Sequence, residues 1–178
     1  MNIPHLGATT TKVAIPLLAI AAVIFAHRLR KLSLEDCLGL RKPPAGAAAL
    51  WVLLYVAVML GSNYFMHWRG PWDFTEWRNA PLVLDILRVV AVGVLGPIAE
   101  ELIFRGVLYA RLARTKLGVS GAIVVAALVW GGIHYNYTAG VIALLVFLGL
   151  LLGIARWQTR SVVTPIIMHI TWNLYAVW

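Results

Sequence analysis

Apolar residues run along this chain in long uninterrupted stretches, and each stretch ends at charged residues, glycine or proline. A helix needs about 20 consecutive apolar residues, usually roughly 17–25, to cross the hydrocarbon core of a bilayer. Runs approaching that length predict six helices: Val13 to Ala26, Ala45 to Met66, Leu82 to Leu112, Val119 to Tyr135, Gly140 to Arg156 and Val162 to Trp178. The third run contains Pro97. Proline kinks a membrane helix more often than it ends one, so the run is read as one long helix. The segment His67 to Pro81 (HWRGPWDFTEWRNAP) breaks the pattern. Its tryptophans, Trp68, Trp72 and Trp77, together with Pro71 and Pro81, predict an interfacial loop, where aromatic rings sit half wet at headgroup level.

Composition sharpens this picture. Of 178 residues, 61% are hydrophobic and 12% charged, with a mean hydropathy of +0.84, against roughly 45–50% apolar and 25% charged in a soluble domain. A soluble fold of this size leaves about a third of its surface wet, which is no place for so many Leu, Val, Ile and Ala side chains. The fold class implied is all-α, a polytopic membrane helix bundle of about six transmembrane helices, in one membrane domain over residues 1–178. No internal repeat, low-complexity tract or linker divides it. The first run resembles a signal-peptide core, but its positive charges, Arg28, Arg30 and Lys31, follow it and no small-x-small cleavage pattern precedes them. It is expected to remain as an anchor.

The net charge of +8 changes the partner question less than its size suggests. Lys and Arg lie in short clusters between apolar runs and form no continuous basic face, so no nucleic-acid partner is expected. The connections carry five, two, three, none and two of them in chain order. That alternation fits the positive-inside rule with both termini outside. The single cysteine, Cys37, excludes an intrachain disulfide and a cysteine-based metal site, and has no assigned role.

Ionisable groups at membrane depth cost about 2.5–3.5 kcal/mol each even on the lenient insertion scale, so each needs a reason. In GPIAEELIFRGVLYAR, Glu101 and Arg105 are four apart and share a helix face, while Glu100 points about 100° away. On a soluble helix the pair would be simple neutralisation. Here the neighbours are apolar and Glu100 lacks a partner at helical spacing, which makes it a general-base candidate. His134 follows Trp130 by four in LVWGGIHYNY, and His169 precedes Asn173 by four in PIIMHITWNLY. A lone helical histidine is commonly a satisfied core residue; two of them, with an asparagine and two carboxylates, form a candidate site. At 1.5 Å per residue from the basic helix ends, Glu100, His134, His169 and Asn173 lie roughly 18, 24, 11 and 17 Å up, overlapping near mid-bilayer.

These residues resemble the CPBP family, the CAAX-protease and bacteriocin-processing membrane proteins, which includes the type II CAAX prenyl endopeptidases. The family's Glu-Glu-x-x-x-Arg is Glu100-Glu101-Leu-Ile-Phe-Arg105, its Phe-x-x-x-His appears as Trp130-Gly-Gly-Ile-His134, and its His-x-x-x-Asn is His169-Ile-Thr-Trp-Asn173. Trp130 departs from the usual Phe. The resemblance covers roughly residues 82–178, which makes that stretch the motif-bearing core. It implies an intramembrane glutamic protease in which Glu100 and His134 activate a water, His169 and Asn173 stabilise the oxyanion, and Glu101 with Arg105 support the site. It also implies a membrane-anchored, lipidated or C-terminal sorting-tag substrate and a place in the bacterial cytoplasmic membrane.

Two other classes stay open at this level. A proton-coupled transporter would use Glu100, His134 and His169 as a relay, although the internal symmetry common in transporters is not evident. A non-catalytic bacteriocin-immunity protein would keep the helices and tolerate loss of Glu100. Two His and two Glu can also furnish zinc with an open position for water. The chain lacks His-Glu-x-x-His, and the resemblance with the Asn173 partner favours catalysis without a cofactor, with zinc as the alternative.

Overall fold

A computed structural model describes residues 6–67 and 81–177; the interfacial-loop expectation for Trp68, Trp72 and Trp77 lies outside the described residues. Among the described residues the chain is helical and has no strand. The helices are α1 (Leu6–Leu29), α2 (Leu34–Leu38), α3 (Ala45–Met66), α4 (Leu82–Leu112), α5 (Gly118–Gly132), α6 (Ala139–Thr159) and α7 (Val163–Val177). Four of these, α1, α3, α4 and α6, are long and apolar enough to span a membrane. The other two of the six expected spans have 15 residues each, which at 1.5 Å per residue is short of the ~30 Å hydrocarbon core. The expected fourth helix stops at Gly132, so His134 sits in the turn beyond it, its backbone N–H bonded to Gly131 O at 3.2 Å.

Large apolar side chains such as Leu50, Leu53, Phe65, Leu82 and Phe147 face outward, as lipid requires and water would penalise. Inside, the main core joins α3, α4, α5, α6 and α7 through Tyr55, Phe104, Trp130, Leu148 and Trp172. Tyr55 meets Trp172 edge-on, ring centres 5.6 Å apart. α1 packs along α4 at the margin of the bundle.

Close approach of α5 and α6 follows from small residues. Gly149 and Gly153 form a Gly-x-x-x-Gly stripe on α6, the kind of surface that lets membrane helices approach backbone to backbone. A Cβ on Gly153 would stand 2.8 Å from Ile123 Cγ2, and one on Gly149 would stand 3.1 Å from Ala127 Cα.

The long helix α4 is continuous through Pro97, but not uniformly α-helical. Residues Ala91–Leu95 and Leu102–Leu108 are π-helical and flank Gly96–Glu101. Proline has no N–H to give to the preceding turn, and Gly96 already bonds five residues back, to Ala91 O. In that register Pro97 faces Val92 O, which accepts instead from Asn173 Nδ2 of α7 at 2.9 Å. The second π segment gives Arg105 O to Arg156 Nε of α6 at 3.2 Å.

Arg156 also ties in α2. That helix starts at Ser33, whose hydroxyl accepts from Asp36 N, and ends at Gly39, whose φ of 72° is left-handed. The buried Arg156 guanidinium reaches Leu38 O at 3.5 Å and covers the Tyr109 ring at 5.1 Å. A Cβ on Gly39 would collide with that guanidinium. Gly39→Ala is therefore expected to combine a left-handed backbone penalty of about 1–2 kcal/mol with displacement of Arg156. Thermal unfolding in detergent should show a clear drop in midpoint, while Gly61→Ala, whose Cβ would meet nothing within 4 Å, should show none.

Candidate active site

Every ionisable residue singled out in the sequence lies at or beside one cavity, of about 140 Å³, lined by Glu100, Trp130, His134, His169 and Asn173 together with Tyr55 and Tyr137. Glu101 and Arg105 stand behind its wall, both fully buried.

Glu101 Oε1 accepts from Arg105 Nη1 at 2.9 Å along the i,i+4 spacing of α4, and from His169 Nδ1 of α7, also at 2.9 Å. Its Oε2 is buried with no hydrogen-bond partner among the described residues, so the compensation for burying this carboxylate comes through Oε1. A carboxylate paired with an arginine only accepts, so His169 Nδ1 carries the hydrogen. That orients the ring and turns Nε2 towards Glu100, whose Oε2 is 4.0 Å away, beyond direct hydrogen-bond range. Arg105 is held from two further sides: Nη2 donates to Gly149 O at 3.1 Å, and the guanidinium lies 4.9 Å from the Trp130 ring centre.

Glu100 is half-buried, and its partner lies off its own helix. Trp130 Nε1 of α5 donates to Glu100 Oε2 at 2.6 Å, a bond that helical spacing within α4 does not reveal. The Trp130 carbonyl bonds His134 Nδ1 at 2.8 Å. A carbonyl only accepts, so Nδ1 carries the hydrogen there too, and the neutral His134 ring keeps its lone pair on Nε2. Around this centre the His134 and His169 rings each stand edge-on to Trp130 at 5.3 Å. Asn173 reaches the cavity with one N–H held by Val92 O.

The two tyrosines of the lining were missed by sequence reasoning. Tyr55 is buried mid-way along α3, and a phenol in an apolar run was its only signal. Tyr137 stacks on His134 with ring centres 5.9 Å apart. Burial pushes its hydroxyl above the ordinary tyrosine value, and the nearby Glu100 charge adds to the shift. Among the described residues, no group of three or more His, Cys, Asp or Glu side chains is arranged to hold a metal ion.

A bundle of lipid-facing helices around a cavity lined by carboxylate and imidazole groups defines an integral membrane protein. Residues 82–175 match the family described as type II CAAX prenyl endopeptidase Rce1-like. The match takes in just over half of the chain, and the chain belongs to this family of CAAX-type membrane endopeptidases, which are hydrolases acting on membrane-anchored peptides. No curated protein and no solved structure matches it.

Removing the Glu101 charge leaves Arg105 buried without its carboxylate, and breaking such a pair typically costs about 3–5 kcal/mol. Glu101→Leu is expected to give much less folded protein in detergent extracts by size-exclusion profile, whereas Glu100→Gln, which keeps an acceptor for Trp130 and removes no buried ion pair, should match the wild type.

Proposed function

We propose that this chain hydrolyses a peptide bond of a membrane-anchored substrate, lipidated or bearing a C-terminal sorting tag, by a water that Glu100 and His134 activate. The observation that carries this reading is that residues 100, 134, 169 and 173, from three separate stretches of sequence, line one cavity. Its volume of about 140 Å³ has room for water.

In this scheme the water oxygen bonds to the scissile carbonyl carbon while its proton passes to Glu100 or to His134 Nε2. Collapse of the tetrahedral intermediate breaks the C–N bond, and that proton goes to the leaving amine. Negative charge grows on the carbonyl oxygen, where His169, when Nε2 carries a hydrogen, and the second N–H of Asn173 are the donors. Such a preorganised donor is worth about 3–4 kcal/mol. Arg105 balances Glu101. In this scheme no metal or other cofactor takes part, with zinc as the alternative. The chain acts as one membrane domain with residues 82–178 as its motif-bearing core, in the bacterial cytoplasmic membrane with the basic connections on the cytoplasmic side.

The test is cleavage of a prenylated, C-terminally tagged reporter peptide in proteoliposomes by wild type, Glu100→Gln and His134→Ala, with folding checked by size exclusion. Each variant is expected to lose at least about 100-fold in kcat, in keeping with the 10²–10⁴-fold typical of general acid–base groups, with no effect of chelator. Undiminished cleavage by Glu100→Gln removes it as the base; inhibition by EDTA, reversed by zinc, replaces this mechanism with a metal-assisted one.

A further inference from the structure

Trp130 stands where the resembled family usually has Phe, and it does what Phe cannot. Its indole N–H, on a ring only 2% exposed, donates to Glu100 Oε2 at 2.6 Å. Hydrogen bonds to an ionised carboxylate are the short, strong kind. With Oε2 engaged, Oε1 is the Glu100 oxygen that has no protein hydrogen-bond partner among the described residues. The same residue's carbonyl holds His134 Nδ1 at 2.8 Å. Its ring face carries the Arg105 guanidinium at 4.9 Å, and its edge contacts include His169 at 5.3 Å.

We infer that Trp130 is a positioning residue, which sets the Glu100 carboxylate with Oε1 as the oxygen that takes the proton from water. The inference rests on the protease reading above. Two ordinary features hold Trp130 in place for this. Gly131, next in the chain, lies so close to Val146 that a Cβ there would come within 2.5 Å of Val146 Cγ2, which fixes the end of α5 against α6. The stacked cation on the ring polarises it and favours donation from the N–H. The His134 bond comes from the backbone and survives any substitution at 130, so the indole N–H can be removed without releasing His134.

Trp130→Phe separates the roles. It keeps an aromatic ring between the two histidines and removes the donor, along with the extra volume of the indole and part of its attraction for Arg105. Misplacing a reacting group by about 1 Å can cost on the order of 100-fold; the expected result is a fall in kcat of about 10–100-fold with KM within about twofold. A residue that only packs would leave kcat near wild type, and that result overturns the inference.

A second measurement needs no turnover. In protein labelled with ¹⁵N-tryptophan, the indole resonance that vanishes in Trp130→Phe is expected to lie downfield of the other indoles and to move upfield in Glu100→Gln. If no downfield indole resonance moves in Glu100→Gln, the bond is not made and the inference falls; that comparison uses only wild type and Glu100→Gln and does not need Trp130→Phe to fold. Wild-type protein that cleaves no substrate counts against the protease reading alone, because the indole signal still decides this one.

Discussion

The Glu101 carboxylate is the interaction on which the rest of this structure depends. It is wholly excluded from water and meets both its partners at one oxygen, an arginine from its own helix and a histidine from α7. In a low-dielectric bundle an unpaired charge is costly by several kcal/mol, so each of the three groups stabilises the burial of the others. The consequence for chemistry is directional. With Nδ1 committed to Glu101, His169 can present only Nε2 to the cavity, and Arg105, committed to Glu101, Gly149 O and the Trp130 face, is kept out of it.

A second constraint comes from the long helix itself. In lipid every backbone carbonyl needs a partner, and α4 breaks its own ladder at two π segments and at Pro97. The freed acceptors become joints: Val92 O takes Asn173 from α7, and Arg105 O takes Arg156 from α6. Irregularity in α4 thus fastens α7, which carries His169 and Asn173, and α6, which lies between the two histidine-bearing segments in the chain. The close contact of Gly93 with Leu174, where a Cβ would stand 2.6 Å from Cδ2, belongs to the same seam. π segments often mark functional sites; here they flank Gly96–Glu101, which carries both glutamates, and the second of them contains Arg105.

The cavity places polar groups of graded burial in order. Arg105 and Glu101 are sealed, His169 is nearly so, and Glu100, His134 and Asn173 reach open space. That gradient separates the charges buried in the scaffold from the polar groups that line open space, the division that the proposed mechanism uses.

Much of this was legible in the sequence, because the bilayer imposes length and polarity on each segment separately. The spans Ala45–Met66 and Leu82–Leu112, the continuity of the latter through Pro97, and the Glu101–Arg105 pair follow from run length and the i,i+4 rule alone. Helix ends were less legible: the apolar run continues through Ile133, yet α5 stops at Gly132 and leaves His134 in a turn. The partner of Glu100 was beyond sequence reasoning, since helical periodicity describes neighbours within a helix and Trp130 comes from another one, 30 residues away. The same holds for His169 on Glu101, for Asn173 on the carbonyl near Pro97, and for Tyr55 and Tyr137 at the cavity. That membrane helices form, and which of them carry charge into the bundle, can be read from the chain one segment at a time, because hydropathy and spacing are local properties. Which atom of each side chain meets which emerges on packing, because those contacts join residues of different helices at distances that the small residues permit.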